Sequence, residues 1–220
     1  MSVIGTLGDL RQAVAEEVMR ANHRGFAEAF PRMVTFAESR IYDGAGMPFK
    51  TPPLRVTEME KTASPLTFVN GVAAVPSDFL AARLLFWDQD IRSSPSYEQP
   101  TSFRMNRSKD ATGQPSRYTI EGGNVLLSPM ISGDLVFDYY GRPTALAADD
   151  DTNAVLVRYP SLYFTACLIE AYGYTRDAER QASAMQSYAA TINGIVDVDV
   201  KKKAGGTALY PRIRNSWIRR

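Results

Sequence analysis

Leu66-Thr67-Phe68-Val69-Asn70-Gly71-Val72-Ala73-Ala74-Val75 decides the fold class. Two short β-prone runs flank Asn-Gly, a dipeptide that accepts positive φ at both central positions of a two-residue hairpin turn. The stretch predicts a β-hairpin, and it sits in the middle of the chain. Further strand signals follow it. Pro76-Ser77-Asp78-Phe79-Leu80 reads as a short helical turn, and residues 83–87 read as a strand. Arg117-Tyr118-Thr119-Ile120 and Val125-Leu126-Leu127 flank Glu121-Gly122-Gly123-Asn124 as a second hairpin. Residues 135–140 form the last strand. Between them, residues 88–114 are polar and rich in Ser, Pro and Gln, and read as a long exposed loop. Such strands and turns suggest one small antiparallel sheet or a sandwich.

Outward from this centre the periodicity changes to that of helices. Leu7, Leu10, Val14 and Val18 recur at three- and four-residue spacing. Thr6 and Asp9 make a capping-box start, and Gly25 offers a stop. His23 then reads as a solvated histidine in the last turn. Phe26, Phe30, Met33, Val34, Ala37 and Ile41 mark a second helix, with Pro31 opening its main segment. The two helices are expected to pair through these stripes. Asp43-Gly44-Ala45-Gly46-Met47-Pro48-Phe49-Lys50-Thr51-Pro52-Pro53 cannot continue a helix and reads as a surface loop. Beyond the strands, Asp149-Asp150-Asp151 reads as a solvated acidic cap ahead of further helices. One of these has Leu162, Ala166, Ile169 and Tyr172 on a face. The next begins at Asp177 and carries Ala178, Ala182, Met185, Ala189, Ile192 and Ile195.

The expected fold is therefore α+β: a helical bundle from residues 1–60 and 144–200, an inserted small antiparallel β domain at 61–143, and an extended tail at 201–220. With 220 residues, 45% of them hydrophobic and 22% charged, a packed core is within reach and disorder over the whole length is excluded. No window approaches the roughly 18 uninterrupted apolar residues of a membrane span. The start lacks the basic and apolar regions of a signal peptide, so the chain is expected to stay in a cytosol.

The chain has one cysteine, Cys167, and one histidine, His23. An intrachain disulfide is excluded, and so is a structural zinc site built from the usual four Cys and His ligands. Cys167 reads as a buried, inert thiol. Phosphate-binding, dinucleotide-binding and nucleophile-elbow motifs are all missing. Glu16/Glu17, Glu58/Glu60 and Asp149–Asp151 read as solvated charge before they read as catalytic pairs. Tyr139, Tyr140, Tyr159, Tyr163, Tyr172 and Tyr174 have too few interleaved bases for a nucleic-acid stacking platform and read as packing. No catalytic residue, cofactor or metal is expected.

The net charge of +1 hides an asymmetry. Residues 201–220 contain Lys201, Lys202, Lys203, Arg212, Arg214, Arg219 and Arg220 and no acid, which leaves 18 basic against 24 acidic residues in the rest. Leu209, Tyr210, Ile213, Trp217 and Ile218 are interleaved with the arginines. Aromatic and arginine anchors together point to a protein interface more than to a purely electrostatic DNA tail.

Seven segments, in order, resemble the head-to-tail adaptor (connector) proteins of tailed bacteriophages. They are Thr6-Leu7-Gly8-Asp9-Leu10, Phe36-Ala37-Glu38-Ser39-Arg40-Ile41, Leu54-Arg55-Val56-Thr57-Glu58-Met59-Glu60, Val75-Pro76-Ser77-Asp78-Phe79-Leu80, Gln114-Pro115-Ser116-Arg117-Tyr118-Thr119-Ile120, Val136-Phe137-Asp138-Tyr139-Tyr140-Gly141-Arg142-Pro143 and Tyr159-Pro160-Ser161-Leu162-Tyr163. The loop at 43–53 and the length of the basic tail depart from the family pattern. The resemblance implies a homo-oligomeric ring, a dodecamer, beneath the portal protein. It also implies tail or nozzle proteins as partners, genomic DNA passing through the channel without sequence specificity, no membrane, and no catalysis. Its place would be the head–tail interface of the virion, reached from the host cytoplasm during assembly. The alternatives are a nucleic-acid-binding regulator using the basic tail and a tail-associated cell-wall hydrolase. Portal docking is expected at Lys201–Lys203 and along the residues named above to Arg220. The loops at 43–53 and 88–114 are expected to order against neighbouring subunits or tail proteins.

Overall fold

A computed structural model describes residues 4–20, 23–87, 94–106 and 113–205. Contacts divide the chain into two compact units: the described parts of Met1–Val56, Ala147–Asp151 and Tyr159–Arg220 form one, and Thr57–Leu146 with Thr152–Arg158 the other. The fold is α+β, with helices toward both ends and the strands between.

In the helical unit, α1 (Leu7–Glu17), α2 (Arg24–Asp43) and α6 (Ala178–Lys203) gather around α5 (Pro160–Thr175). Leu162, Tyr163, Ala166, Cys167, Leu168, Ile169, Ala171 and Tyr172 of α5 are all buried. An almost wholly apolar helix belongs in the centre of a bundle, so α1 and α2 pack chiefly on α5 and only slightly on each other. The stripes of α1 and α2 are buried as their spacing predicts. That of α6 is rotated: Ala184, Tyr188, Ile192 and Asp199 are buried, while Ala178 and Ala182 are exposed.

Two helix boundaries differ from expectation. α1 stops at Glu17, where Met19 adopts φ 54°. Its N–H donates to Glu16 O, and that of Arg20 to Ala15 O at 2.7 Å. This is a left-handed C-terminal motif made without glycine. His23 is accordingly no last-turn residue; it caps α2, its Nδ1 accepting from Phe26 N at 3.2 Å. Pro31 lies inside α2. It is exposed, as is Ala27, whose carbonyl loses its helical donor, and the buried Phe26, Phe30, Met33 and Val34 on the other side keep the helix continuous.

The β unit holds two sheets. One has the order β1 (Glu60–Phe68), β7 (Gly133–Gly141), β3 (Phe79–Phe86). The other runs β2 (Val72–Ala74), β6 (Asn124–Ser128), β5 (Arg117–Glu121), β4 (Ser96–Tyr97), and its β4–β5 pair is parallel. Asn70 and Gly71 do turn with φ 50° and 73°, and Val69 and Val72 exchange both hydrogen bonds. The flanking strands then part: β1 pairs with β7, and β2 pairs with β6. Both sheets feed one core of Phe68, Ala73, Leu85, Tyr118, Val125, Leu127, Leu135, Phe137 and Tyr139, so the arrangement is a sandwich. Pro76–Asp78 forms a turn rather than helix, and β3 begins at Phe79. Residues 88–114 are not all loop: besides β4 they carry α3 (Pro100–Asn106), whose Phe103 is buried. α4 (Ala154–Arg158) completes the unit. Among the described residues no helix is long and apolar enough to cross a membrane.

Candidate docking interface

The basic C-terminal region begins as helix. Lys201, Lys202 and Lys203 occupy the last turn of α6, where cations complement the negative end of the helix dipole. Lys203 Nζ lies 2.6 Å from Asp199 Oδ2, one turn back, and Asp199 is buried. Gly205 then takes φ 70° and donates to Lys202 O at 3.1 Å, ending the helix. Leu209, Tyr210, Arg212, Ile213, Arg214, Trp217, Ile218, Arg219 and Arg220 lie outside the described residues.

A buried polar network anchors α6 to the bundle. Tyr188 Oη donates to the carbonyl of Arg40 at 3.1 Å. Arg40 is itself buried, with Nη1 2.5 Å from Glu170 Oε1 and Nη2 donating to Gly46 O at 3.3 Å. Tyr42 and Tyr163 share a hydroxyl hydrogen bond of 2.6 Å, and Tyr163 reaches Glu38 at 3.2 Å. The 43–53 loop is thereby tied down: Arg40 holds Gly46, Leu54 N donates to Ile41 O, and Thr51 is buried. Cys167 is fully buried in α5, and burial pushes its thiol far up from its ordinary range. It is unsuited to nucleophilic work.

The Asp149–Asp151 acids do not cap the helix that follows them; Asn153 does that, accepting from Leu156 N at 2.8 Å. They meet the start of α1 instead. Leu7 N donates to Asp151 O and Gly8 N to Asp149 O, at 2.9 and 2.8 Å, while Arg11 pairs with Asp149 at 2.6 Å. A Cβ on Gly8 would sit 3.0 Å from Asp149 O, so glycine permits the approach. Thr6 and Asp9 complete the predicted capping box. Backbone donors from Gly5, then the Thr6 hydroxyl and N–H, hold the Asp9 carboxyl below the usual range. The other acids also have structural partners. Glu16 accepts from Gln12, Glu60 pairs with Arg83 at 2.9 Å, and Glu58 with Arg158 at 3.7 Å.

In the β unit, sequence reasoning missed a clasp around Asp78. Lys61 Nζ lies 2.5 Å from Asp78 Oδ2, Tyr139 Oη donates to Oδ1 at 3.0 Å, and Arg142 N donates to its carbonyl at 2.6 Å. Burial raises the Asp78 carboxyl, but Lys61 and Tyr139 outweigh it and hold the group low. Burial, then the bond to Asp78, pushes Tyr139 up to about 12. The aspartate of the Pro-x-Asp-Phe-Leu segment was the available signal. The tyrosines pack within their own units: Tyr139 stacks on Phe137 at 5.6 Å, Arg83 lies over Tyr140 at 5.5 Å, and Tyr174 meets Phe26 edge-on at 6.0 Å. Among the described residues no group of three or more His, Cys, Asp or Glu could hold a metal ion.

These clasps fall on the segments that carry the sequence resemblance: the α1 cap, the segment with Glu38 and Arg40, the Asp78 turn and the β7 exit. The family model described as SU10 adaptor protein matches residues 5–212. The chain belongs to that family. It is thus a bacteriophage adaptor, and several of the motifs quoted above make contacts inside one or the other of its two units. Among curated proteins, none matches the chain.

Proposed function

We propose that this adaptor is a structural virion protein that forms a ring, a dodecamer, at the head–tail interface. The ring docks under the portal, joins it to tail or nozzle proteins, and leaves a channel for genomic DNA without sequence-specific contacts. Membership of the adaptor family over residues 5–212 is the observation that carries the reading. In it the bundle (1–60 and 144–200) and the β domain (61–143) form the ring body, and residues 201–220 are the docking arm. An acid-free basic segment leaving an otherwise acidic body supports that division. The body acts without catalysis, cofactor or metal.

Deleting residues 204–220 tests the arm. The truncated protein is expected to stay folded and soluble and to lose attachment to purified portal rings. Undiminished attachment would move docking to the helical body. The same seven basic residues favour a second reading, a nucleic-acid-binding regulator. That reading requires tight binding of duplex DNA by the monomer, with a log K against log salt slope of about −6.

A further inference from the structure

The last third of α6 is written for a different conformation. Ile195-Val196-Asp197-Val198-Asp199-Val200 alternates apolar and acidic residues from Val196 on, the period of a strand and not of a helix. In the helix this pattern inverts burial: Asp199 is 4% exposed, whereas Val198 is 65% and Val200 45% exposed. The buried carboxylate pairs with Lys203. At about 100° per residue, Val198 and Val200 point some 200° apart, so no single flat partner covers both. Exposed β-branched side chains also lose rotamer freedom in a helix without gaining contacts there. In an extended strand Val196, Val198 and Val200 would share one face, and Asp197 and Asp199 the other. Asn193-Gly194 precedes the segment, a turn signal set inside the helix. A Cβ on Gly194 would meet nothing within 4 Å, so packing does not require glycine there.

We propose that residues 195–200 leave the helix on assembly, hinged at Gly194, and dock as a β-strand on an open sheet edge of the portal protein. The proposal rests on the adaptor reading and carries its interface six residues upstream of Lys201. The partner it fits is a protein edge offering free N–H and C=O groups, with an apolar face for the valines and acids to meet Lys201–Lys203 and the basic residues after them. Charge selects that partner over DNA, because Asp197 and Asp199 would repel a polyanion. The helical form of the free protein keeps the strand from pairing with other edges too early.

Gly194→Ala/Val198→Leu/Val200→Leu tests this in the full-length chain. It preserves apolar character but favours helix about 5-fold at the glycine and about 2-fold at each valine, about 20-fold together. The variant is expected to unfold at the same or a higher temperature and to bind purified portal rings about 20-fold more weakly. Val198→Ile/Val200→Ile, which keeps both β-branching and apolar character, should stay within about 3-fold of the parent. Normal portal binding by the leucine variant overturns the proposal, and so does a helix continuous to Lys203 when the portal-bound ring is traced by cryo-microscopy. If truncation at 204 abolishes attachment while the leucine variant binds normally, the strand falls and the arm stands. If truncation is also harmless, the arm reading falls with it. Self-association without portal that the leucine variant loses would make a second copy the occupant and overturn the portal assignment.

Discussion

Replacing Arg40 by methionine should cost this adaptor about 3 kcal/mol of stability. The Arg40 side chain is 8% exposed and its partner Glu170 20%, with nitrogen and oxygen 2.5 Å apart. Methionine keeps most of the apolar stem, so packing changes little. What remains is a largely buried carboxylate without its cation, and breaking a buried pair from one side costs about 3–5 kcal/mol. Glu170 keeps some contact with water, which places the figure at the lower end. For a chain of this size each kcal/mol shifts the midpoint by about 2–4 °C, so thermal unfolding followed by circular dichroism should fall by about 6–12 °C. Losing the hydrogen bond to Gly46 O should also speed amide exchange across residues 44–50. Arg40→Met/Glu170→Leu should recover most of the loss, since replacing both charges by apolar groups is often neutral. A double variant no more stable than Arg40→Met, or a single variant within about 2 °C of the parent, would refute the assignment of this pair as a buried clamp.

Other outcomes follow from individual sites. Gly71→Ala should destabilise by about 2 kcal/mol or more in denaturant titration, because φ is +73° and its Cβ would lie 2.9 Å from Met130 Cα. Asp9 and Asp151 have carboxyls held low, Asp9 chiefly by the Gly5 N–H and Asp151 chiefly by the Ala148 N–H. Their contributions are therefore present above the ordinary carboxylate range and lost as pH falls through the lowered values. Asp9→Asn/Asp151→Asn should flatten the fall in melting temperature below about pH 4. Cys167, buried with its thiol pushed up, should react with thiol reagents at pH 8 only as fast as the protein opens, and fast labelling of the native state would contradict its burial.

Local signals were legible in the sequence and distant ones were not. Thr6 and Asp9 announce the start of α1 because a capping box is complete within four residues. The end of α1 escaped, since Met19 supplies the left-handed residue that glycine usually marks. Asn70-Gly71 correctly predicts a turn but not its strands' partners: β7 draws Phe68 into one sheet while β6 draws Ala73 into the other. α3 was hidden in a polar stretch, although Pro100 at its first position and the single buried Phe103 were faint signals. Of the proposed docking arm, charge counting finds Lys201–Lys203. The burial of Asp199 and the clasp of Lys61 on Asp78 depend on tertiary packing that no spacing rule encodes.

The strap from Ala147 to Asp151 has a consequence for synthesis on the ribosome. Leu7 and Gly8 donate to residues more than 140 positions downstream, and α1 and α2 rest on a helix that ends at Thr175. β1 likewise waits for β7. At about 5–20 residues per second, the first 60 residues spend roughly 6–25 s outside the tunnel before their partners are made. The stripe of α2 is open to water for that interval. A nascent chain arrested at residue 150 should therefore be protease-sensitive over its first 56 residues, and resistance there should appear only after α5 has emerged.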